Sequence, residues 1–291
     1  MRLGRKHGQS AMAPKKIRKR CLSATMLVIM LFCVLSTGIG SSQVDSGEYK
    51  LNKEFVKQFG RDFMGVFSSP CHWGKKDIRT AAAISGVGLL LYSYDDDINS
   101  WVQGRRTPAS DDVSTVFSYF GNGGVLLGLA GVIYAVGAID HKESWRKTAI
   151  LSVESLVTAS VLVWGTKVVV GRARPDTGES SHTFDSFTFD SGCHSFFSGH
   201  AVSAFAVATT IAEQSNVLAV DIIAYSLATL ASLSRIHDNR HWASDVFIGS
   251  ALGYFIGKKI SDLNRPGAKK TVSFGFDFTR GRQALTLSIR F

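Results

Sequence analysis

Six apolar stretches of helical length alternate with short polar segments, at about residues 80–94, 115–139, 149–167, 200–214, 217–233 and 244–260. Their length and composition predict helices that bury most of their faces, and their Gly, Ala and Ser content suits close helix packing. The pattern predicts an all-α bundle of about six apolar helices, one domain over residues 80–262. Upstream, residues 49–79 mix charge and aromatics and predict one further helix with a turn at Ser69-Pro70. The chain ends differently. Thr271–Phe278 and Ala284–Phe291 alternate apolar and polar residues around Thr279-Arg280-Gly281-Arg282, which predicts a β-hairpin over 271–291.

Charge changes the picture mainly at the N-terminus. The 291 residues carry a formal net charge of +10, but residues 1–20 hold eight Lys/Arg and no acid, leaving about +2 elsewhere. The basic balance is therefore local, and a nucleic-acid surface is not indicated. This leader runs into the apolar stretch Cys21–Gly40, so residues 1–40 are expected to be a secretory signal peptide or an uncleaved signal anchor. Residues 41–79 would then form an N-terminal extracytoplasmic segment.

Membrane topology follows from where cations cluster. His141, Lys142, Arg146 and Lys147 lie between two runs, and Lys258, Lys259, Arg265, Lys269 and Lys270 follow the last. Positive-inside bias assigns both clusters, and the hairpin beyond them, to the cytoplasm. If 149–167, 200–214, 217–233 and 244–260 each span, the polar edges between them alternate, and 80–94 must be a non-spanning helix. The rival expectation is a soluble periplasmic bundle, because several runs are shorter than the roughly 20 residues of a comfortable span. Of four cysteines two lie in the leader; Cys71 and Cys193 remain, candidates for a disulfide in an oxidising compartment.

Candidate chemistry is concentrated in three blocks at the ends of apolar runs. Lys167 and Arg174 are seven residues apart, about two helical turns, and Pro175 is expected to end the helix beside Arg174. Ser198-Gly199-His200 opens the run Ala201–Ile211, so free backbone N–H groups there favour an anion, and Gly199 permits close approach. Ser234-Arg235 is followed by His241 and Asp245, whose spacing of four would let a carboxylate hold one imidazole nitrogen if both are helical. Cations, imidazoles and a carboxylate in this arrangement point to phosphate chemistry. His182, Asp185, Asp190 and His194 between the first two blocks read as a solvated polar loop, and no metal site is expected. His237 reads as a loop neighbour of the third block.

The three blocks, KVVVGRARP (167–175), SGH (198–200) and SRIHDNRHWASD (234–245), resemble the type 2 phosphatidic acid phosphatase (PAP2) superfamily over about residues 115–260. That superfamily also contains bacterial class A acid phosphatases and vanadium haloperoxidases. One position departs: Phe197 stands where the family usually has Pro before Ser-Gly-His. The resemblance implies His241 as nucleophile forming a phosphohistidine, with Asp245 orienting it. His200 would be the general acid and base, with Lys167, Arg174, Ser198, Gly199 and Arg235 binding phosphate. It implies no cofactor and no metal.

The expected function is hydrolysis of a lipid phosphate or diphosphate, of the phosphatidate, phosphatidylglycerol phosphate or undecaprenyl diphosphate type. The expected place is a bacterial inner membrane, with the site facing the periplasm and a lipid as partner. Phe184, Phe187, Phe189, Phe196 and Phe197 would meet the lipid chains or simply pack the loop. A soluble acid phosphatase, a haloperoxidase, or a non-enzymatic phosphate-binding envelope protein are the alternatives. Oligomeric state is not legible.

Overall fold

The computed structural model describes residues 53–265, together with the backbone of 272–279 and 282–289. The leader and residues 41–52 lie outside the described residues. Nine α-helices follow one another among the described residues: α1 (Lys53–Phe67), α2 (Lys75–Ser93), α3 (Asp95–Gln103), α4 (Pro108–Ser118) and α5 (Gly123–Ile139) come first. Then come α6 (Glu143–Val170), α7 (Gly199–Gln214), α8 (Leu218–His237) and α9 (Ala243–Leu263). Two strands, β1 (Val272–Thr279) and β2 (Arg282–Ile289), pair antiparallel with Val272 opposite Ile289 and Thr279 opposite Arg282.

α7 is the central helix. Its Ala-rich sequence puts Ala201, Val202, Ala204, Ala206, Val207 and Ile211 in the interior. One cluster joins it to α5, α6 and α8 through Ile133, Trp145, Leu156, Ala224 and Ala228. The other joins it to α6 and α9 through Leu151, Val163, Ile256 and Ile260.

The α7–α9 contact follows from three glycines spaced four apart. Gly249 faces the Ser198 carbonyl, where an added Cβ would sit at 3.2 Å; Gly253 and Gly257 press on the Val202 and Ala206 carbonyls. The contacts advance together along both helices, so α7 and α9 run parallel. Their N-termini, bearing Gly199-His200 and Asp245, therefore lie at one end. α6 runs the other way: Ser155 Oγ lies 2.8 Å from Thr210 Oγ1, and Val163 touches Gly199, which brings Lys167 to the same end.

Two of the expected apolar runs have different bounds for local reasons. The run 115–139 is bent by 58° between α4 and α5. Asn122 starts α5 by accepting from the Gly124 and Val125 N–H groups at 2.9 and 3.2 Å. The bend puts Gly121 against His200, where a Cβ would lie 2.8 Å from the His200 Cβ. The run 80–94 belongs to the longer α2, and the acidic stretch after it forms the unforeseen helix α3.

Among the described residues two helices, α6 and α8, are long and apolar enough to cross a membrane, or three spans if the bent pair α4–α5 counts as one. The runs 200–214 and 244–260, spans only on the condition stated above, are not among these helices. α7 has 16 residues, about 24 Å of helix against a hydrocarbon core of about 30 Å. α9 carries Asp245 at one end and Lys258, Lys259 and Asp262 at the other.

The proposed disulfide is absent: Cys71 and Cys193 are both free thiols. α1, which leads into Cys71, docks at the opposite end of α9 from the three blocks. Gln58 Nε2 donates to Asn264 Oδ1, and Asn264 Nδ2 donates to Asp62 at 2.7 Å. Asn264 and Asp245 are separated by nineteen residues of helix, about 28 Å. Cys193 belongs with the loop at the Asp245 end, so a disulfide Cα separation near 6 Å is out of reach.

Candidate active site

The three blocks converge where α6 ends and α7 and α9 begin. α6 stops at Val170 because Gly171 adopts a left-handed conformation (φ 61°) and presses against the Asp185 carbonyl, where no Cβ fits. Lys167 is thus in the last turn of α6, whereas Arg174 lies beyond the helix and precedes a 3-10 turn at Pro175–Thr177. The helix therefore ends between these two cations, earlier than Pro175, and both still bear on the same two imidazoles, His200 and His241.

Lys167 Nζ donates to the His194 carbonyl at 2.8 Å. Arg235, in the last turn of α8, donates to Asp238 at 3.1 Å, and Asp238 is anchored in turn by Ser114 Oγ at 2.7 Å. Ser198 is the N-cap of α7, and its N–H donates to the Asp245 carbonyl at 3.3 Å. Arg174 Nε, Arg235 Nε and Ser198 Oγ are buried without a hydrogen-bond partner. Buried donors left unpaired are costly, and here three of them belong to the blocks singled out for oxyanion binding.

Both imidazoles feel these cations. Burial, with Arg235, Lys167 and Arg174, pushes His200 down to about 4, against a weaker opposite pull from Asp238. Complete burial, together with Lys167, Arg174 and Arg235, holds His241 well below the usual imidazole range. Arg174 is lowered mainly by burial. Without an anion, the site is an excess of positive charge around two neutral imidazoles.

His241 is positioned differently from the sequence expectation. It sits in the turn before α9, whose N-cap is Trp242, so the spacing of four to Asp245 is not a helical one. Its Nδ1 lies 2.7 Å from the Ser195 carbonyl, a group that only accepts, so Nδ1 carries the proton and Nε2 keeps its lone pair. Asp245 Oδ2 accepts from Ser195 Oγ at 2.5 Å and from the Trp242 N–H at 3.3 Å. The direct Asp245–His241 contact is corrected to one routed through Ser195.

Behind Asp245 lies a residue that the sequence reading passed over. Arg172 is 2% exposed and donates from Nη1 to Asp245 at 2.6 Å and to Ser244 Oγ at 2.8 Å. Its Nη2 donates to Asp95 at 2.8 Å and its Nε to the Ser181 carbonyl at 2.9 Å. A third cation between Lys167 and Arg174 was the only sequence signal for it.

The loop phenylalanines divide. Phe197 packs on the α6–α7–α9 cluster, and its ring lies 3.9 Å from that of Phe196. Phe184, Phe187 and Phe189 are exposed. Among the described residues no group of three or more His, Cys, Asp and Glu side chains is placed to hold a metal. His182 instead lies beside Ser181 Oγ at 2.8 Å, and His237 beside Ser110 Oγ at 2.9 Å.

The family model described as "PAP2 superfamily" matches residues 148–263, the segment holding all three blocks and the helices that present them. Over that segment the chain is similar to the PAP2 superfamily. Among curated proteins it is similar to the lipid A 1-phosphatase of Porphyromonas gingivalis, 28% identical over 200 residues. That alignment covers 65% of this chain but only 40% of the relative, so the chain spans well under half of that protein's length. Among solved structures it is similar to a transmembrane PAP2-type phosphatidylglycerolphosphate phosphatase from Bacillus subtilis. There the identity is 25% and the TM-score 0.50, over 63% of this chain and 94% of that one. Aquifex aeolicus LpxE aligns at 24% identity and a TM-score of 0.45, over 57% and 93% of the two chains. The PAP2 match covers most of α6 and all of α7 through α9, whereas Asp95 and Gly121 come from the segment before it.

Proposed function

We propose that this protein is a membrane-embedded, metal-independent phosphatase that removes phosphate from a lipid phosphate or diphosphate. The observation that carries the reading is the set of unpaired buried donors, Arg174 Nε, Arg235 Nε and Ser198 Oγ, beside a His241 ring whose Nδ1 is occupied. A phosphoryl group with its oxygens on those donors would meet the free Nε2 of His241.

In the proposed reaction His241 Nε2 forms a bond to phosphorus while the ester P–O bond breaks. His200 delivers a proton to the departing oxygen, then takes one from the water that releases phosphate from His241. Lys167, Arg174 and Arg235, with the Gly199 N–H and Ser198 hydroxyl, neutralise the transferring group. Phosphoryl transfer depends mainly on such positioning and charge stabilisation. The dianion also resolves the charge imbalance at His200: placed among the cations, it restores the imidazole's affinity for a proton.

The lipid assignment rests on the membrane-competent helices α6 and α8, the exposed Phe184, Phe187 and Phe189, and relatives named for lipid phosphates. In this reading the site faces the periplasm, and Lys258, Lys259 and Arg265 at the opposite end of the bundle face the cytoplasm. The test is phosphate release in EDTA by detergent-purified protein. The panel is lipid A, phosphatidylglycerol phosphate, undecaprenyl diphosphate and a soluble aryl phosphate, with His241→Ala alongside. Lipid-selective release that is lost in His241→Ala is expected. Release from the aryl ester alone would replace the lipid assignment by a broad acid phosphatase, and undiminished release by His241→Ala would overturn the mechanism.

A further inference from the structure

Asp95 lies 146 residues before His241 in sequence, on the first turn of α3 and outside the segment that matches the superfamily. It is nevertheless buried against the third block. Its Oδ1 accepts from the Ser244 N–H at 2.9 Å, and its Oδ2 accepts from Ser244 Oγ at 2.5 Å and from Arg172 Nη2 at 2.8 Å. From there an unbroken series of contacts leads to the imidazole. Arg172 Nη1 donates to Asp245 Oδ1, Ser195 Oγ donates to Asp245 Oδ2, and His241 Nδ1 donates to the Ser195 carbonyl.

We propose that Asp95 is a positioning residue for the His241 nucleophile, acting through Arg172, Asp245 and Ser195. The inference rests on the phosphatase reading above and goes beyond it by assigning a role to α3, whose Asp95 bonds to Arg172 and Ser244.

Arg172 is a strut and not a fourth phosphate cation. Its four hydrogen bonds all go to protein groups, and the Tyr92 and Trp242 rings lie 4.8 and 5.5 Å from its guanidinium carbon. A guanidinium shared by two carboxylates is held in a fixed plane. Asp245 is thereby oriented, the Ser195 hydroxyl follows it, and the carbonyl of the same residue fixes the ring. The Ser195 N–H also donates to the Arg172 carbonyl at 2.9 Å, so the strut grips Ser195 at two points. In Asp95→Asn one of the two oxygens becomes an NH2 group, so either Arg172 Nη2 or the Ser244 N–H loses its acceptor, and the guanidinium is no longer held between two carboxylates. Displacements of about 1 Å in a nucleophile cost on the order of 100-fold in rate.

The experiment is a cycle of Asp95→Asn, Ser195→Ala and the double variant, with Asp97→Asn, exposed on the same turn, as control. Steady-state kinetics and inorganic phosphate inhibition are measured on full-length protein. Asp95→Asn is expected to lower kcat by about 10- to 100-fold, the range typical of groups that orient a reactive ligand. KM and the phosphate inhibition constant should stay within about twofold, because the oxyanion donors are untouched. Groups acting in series are not additive, so the double variant should be no slower than the slower single one. Asp95→Glu should recover part of the loss, and if Asp95→Asn does not fold, Asp95→Glu takes its place in the cycle. A wild-type kcat in the Asp95 variant, additive losses, or a parallel loss of phosphate affinity would each overturn the proposal. His241→Ala separates the two levels: retained turnover there removes the phosphatase reading and this inference with it. An inactive His241→Ala beside a fully active Asp95→Asn removes only the strut.

Discussion

His241 and Ser195 lie 46 residues apart, and the imidazole Nδ1 sits 2.7 Å from the Ser195 carbonyl. A backbone acceptor cannot be deleted by mutating Ser195, so the tautomer with its lone pair on Nε2 survives most side-chain changes around it. The carboxylate of Asp245 instead governs where that carbonyl is.

Asp245→Asn is therefore expected to lower kcat by about 10- to 100-fold and to leave KM nearly unchanged, since it displaces the nucleophile and not the phosphate donors. Ser195→Ala, which loses the hydroxyl but keeps the carbonyl, should cost less than Asp245→Asn, which also disturbs Arg172. Steady-state kinetics on the two variants decide the order, and a larger loss in Ser195→Ala would contradict the geometry.

Arg174 and Arg235 each present a buried, unpaired Nε–H. Lysine keeps the charge but has no guanidinium fork, so Arg174→Lys should lower kcat/KM by about 10- to 1000-fold, with weaker inhibition by inorganic phosphate. Retained phosphate affinity in that variant would show that charge alone suffices.

The depressed value of His200, about 4, gives a pH signature. Between about pH 4 and the ordinary imidazole value near 6.5, the folded protein without ligand holds fewer protons on this group than the unfolded chain. Its stability should fall as pH drops through that window. An oxyanion among the cations opposes the depression, so sulfate should raise the unfolding temperature more at pH 5 than at pH 7, and less so in His200→Gln. Equal protection at both pH values in wild type would contradict the coupling.

Gly253 presses on the Val202 carbonyl, where a methyl group has no room. Gly253→Ala is expected to push α9 from α7 and to destabilise the protein by about 1–3 kcal/mol. Because α7 carries His200 and α9 follows His241, activity should fall beyond the loss of folded protein. Denaturant titration with activity per folded molecule measures both effects.

Cys71 and Cys193 should both be alkylated without prior reduction, each identified in its own peptide by mass. Protection of both until reductant is added would contradict the placement of α1 at the far end of α9.

Much of the architecture was written in the periodicity. Runs at 149–167 and 244–260 lie within α6 and α9, and 217–233 lies within α8 except for its N-cap Val217, because apolar composition over more than four turns has few solutions other than a buried helix. The bend between α4 and α5 was less legible, since Gly121-Asn122-Gly123 interrupts hydrogen bonding without interrupting apolar composition. α3 was missed because an acidic helix start resembles a polar turn.

By itself the sequence determined which side chains are gathered here: three blocks with the cations, imidazoles and small residues that phosphate chemistry requires, each set within a few residues by local spacing. Only the tertiary structure decided who holds whom. His241 lies in a turn rather than on α9, so its partner is a carbonyl 46 residues away, and the carboxylate four residues on reaches it only through Ser195. Arg172 and Asp95 joined the site for the same reason. A buried guanidinium needs carboxylates around it, but nothing along a chain says which of 23 acidic residues the packing of α3 against α9 will supply.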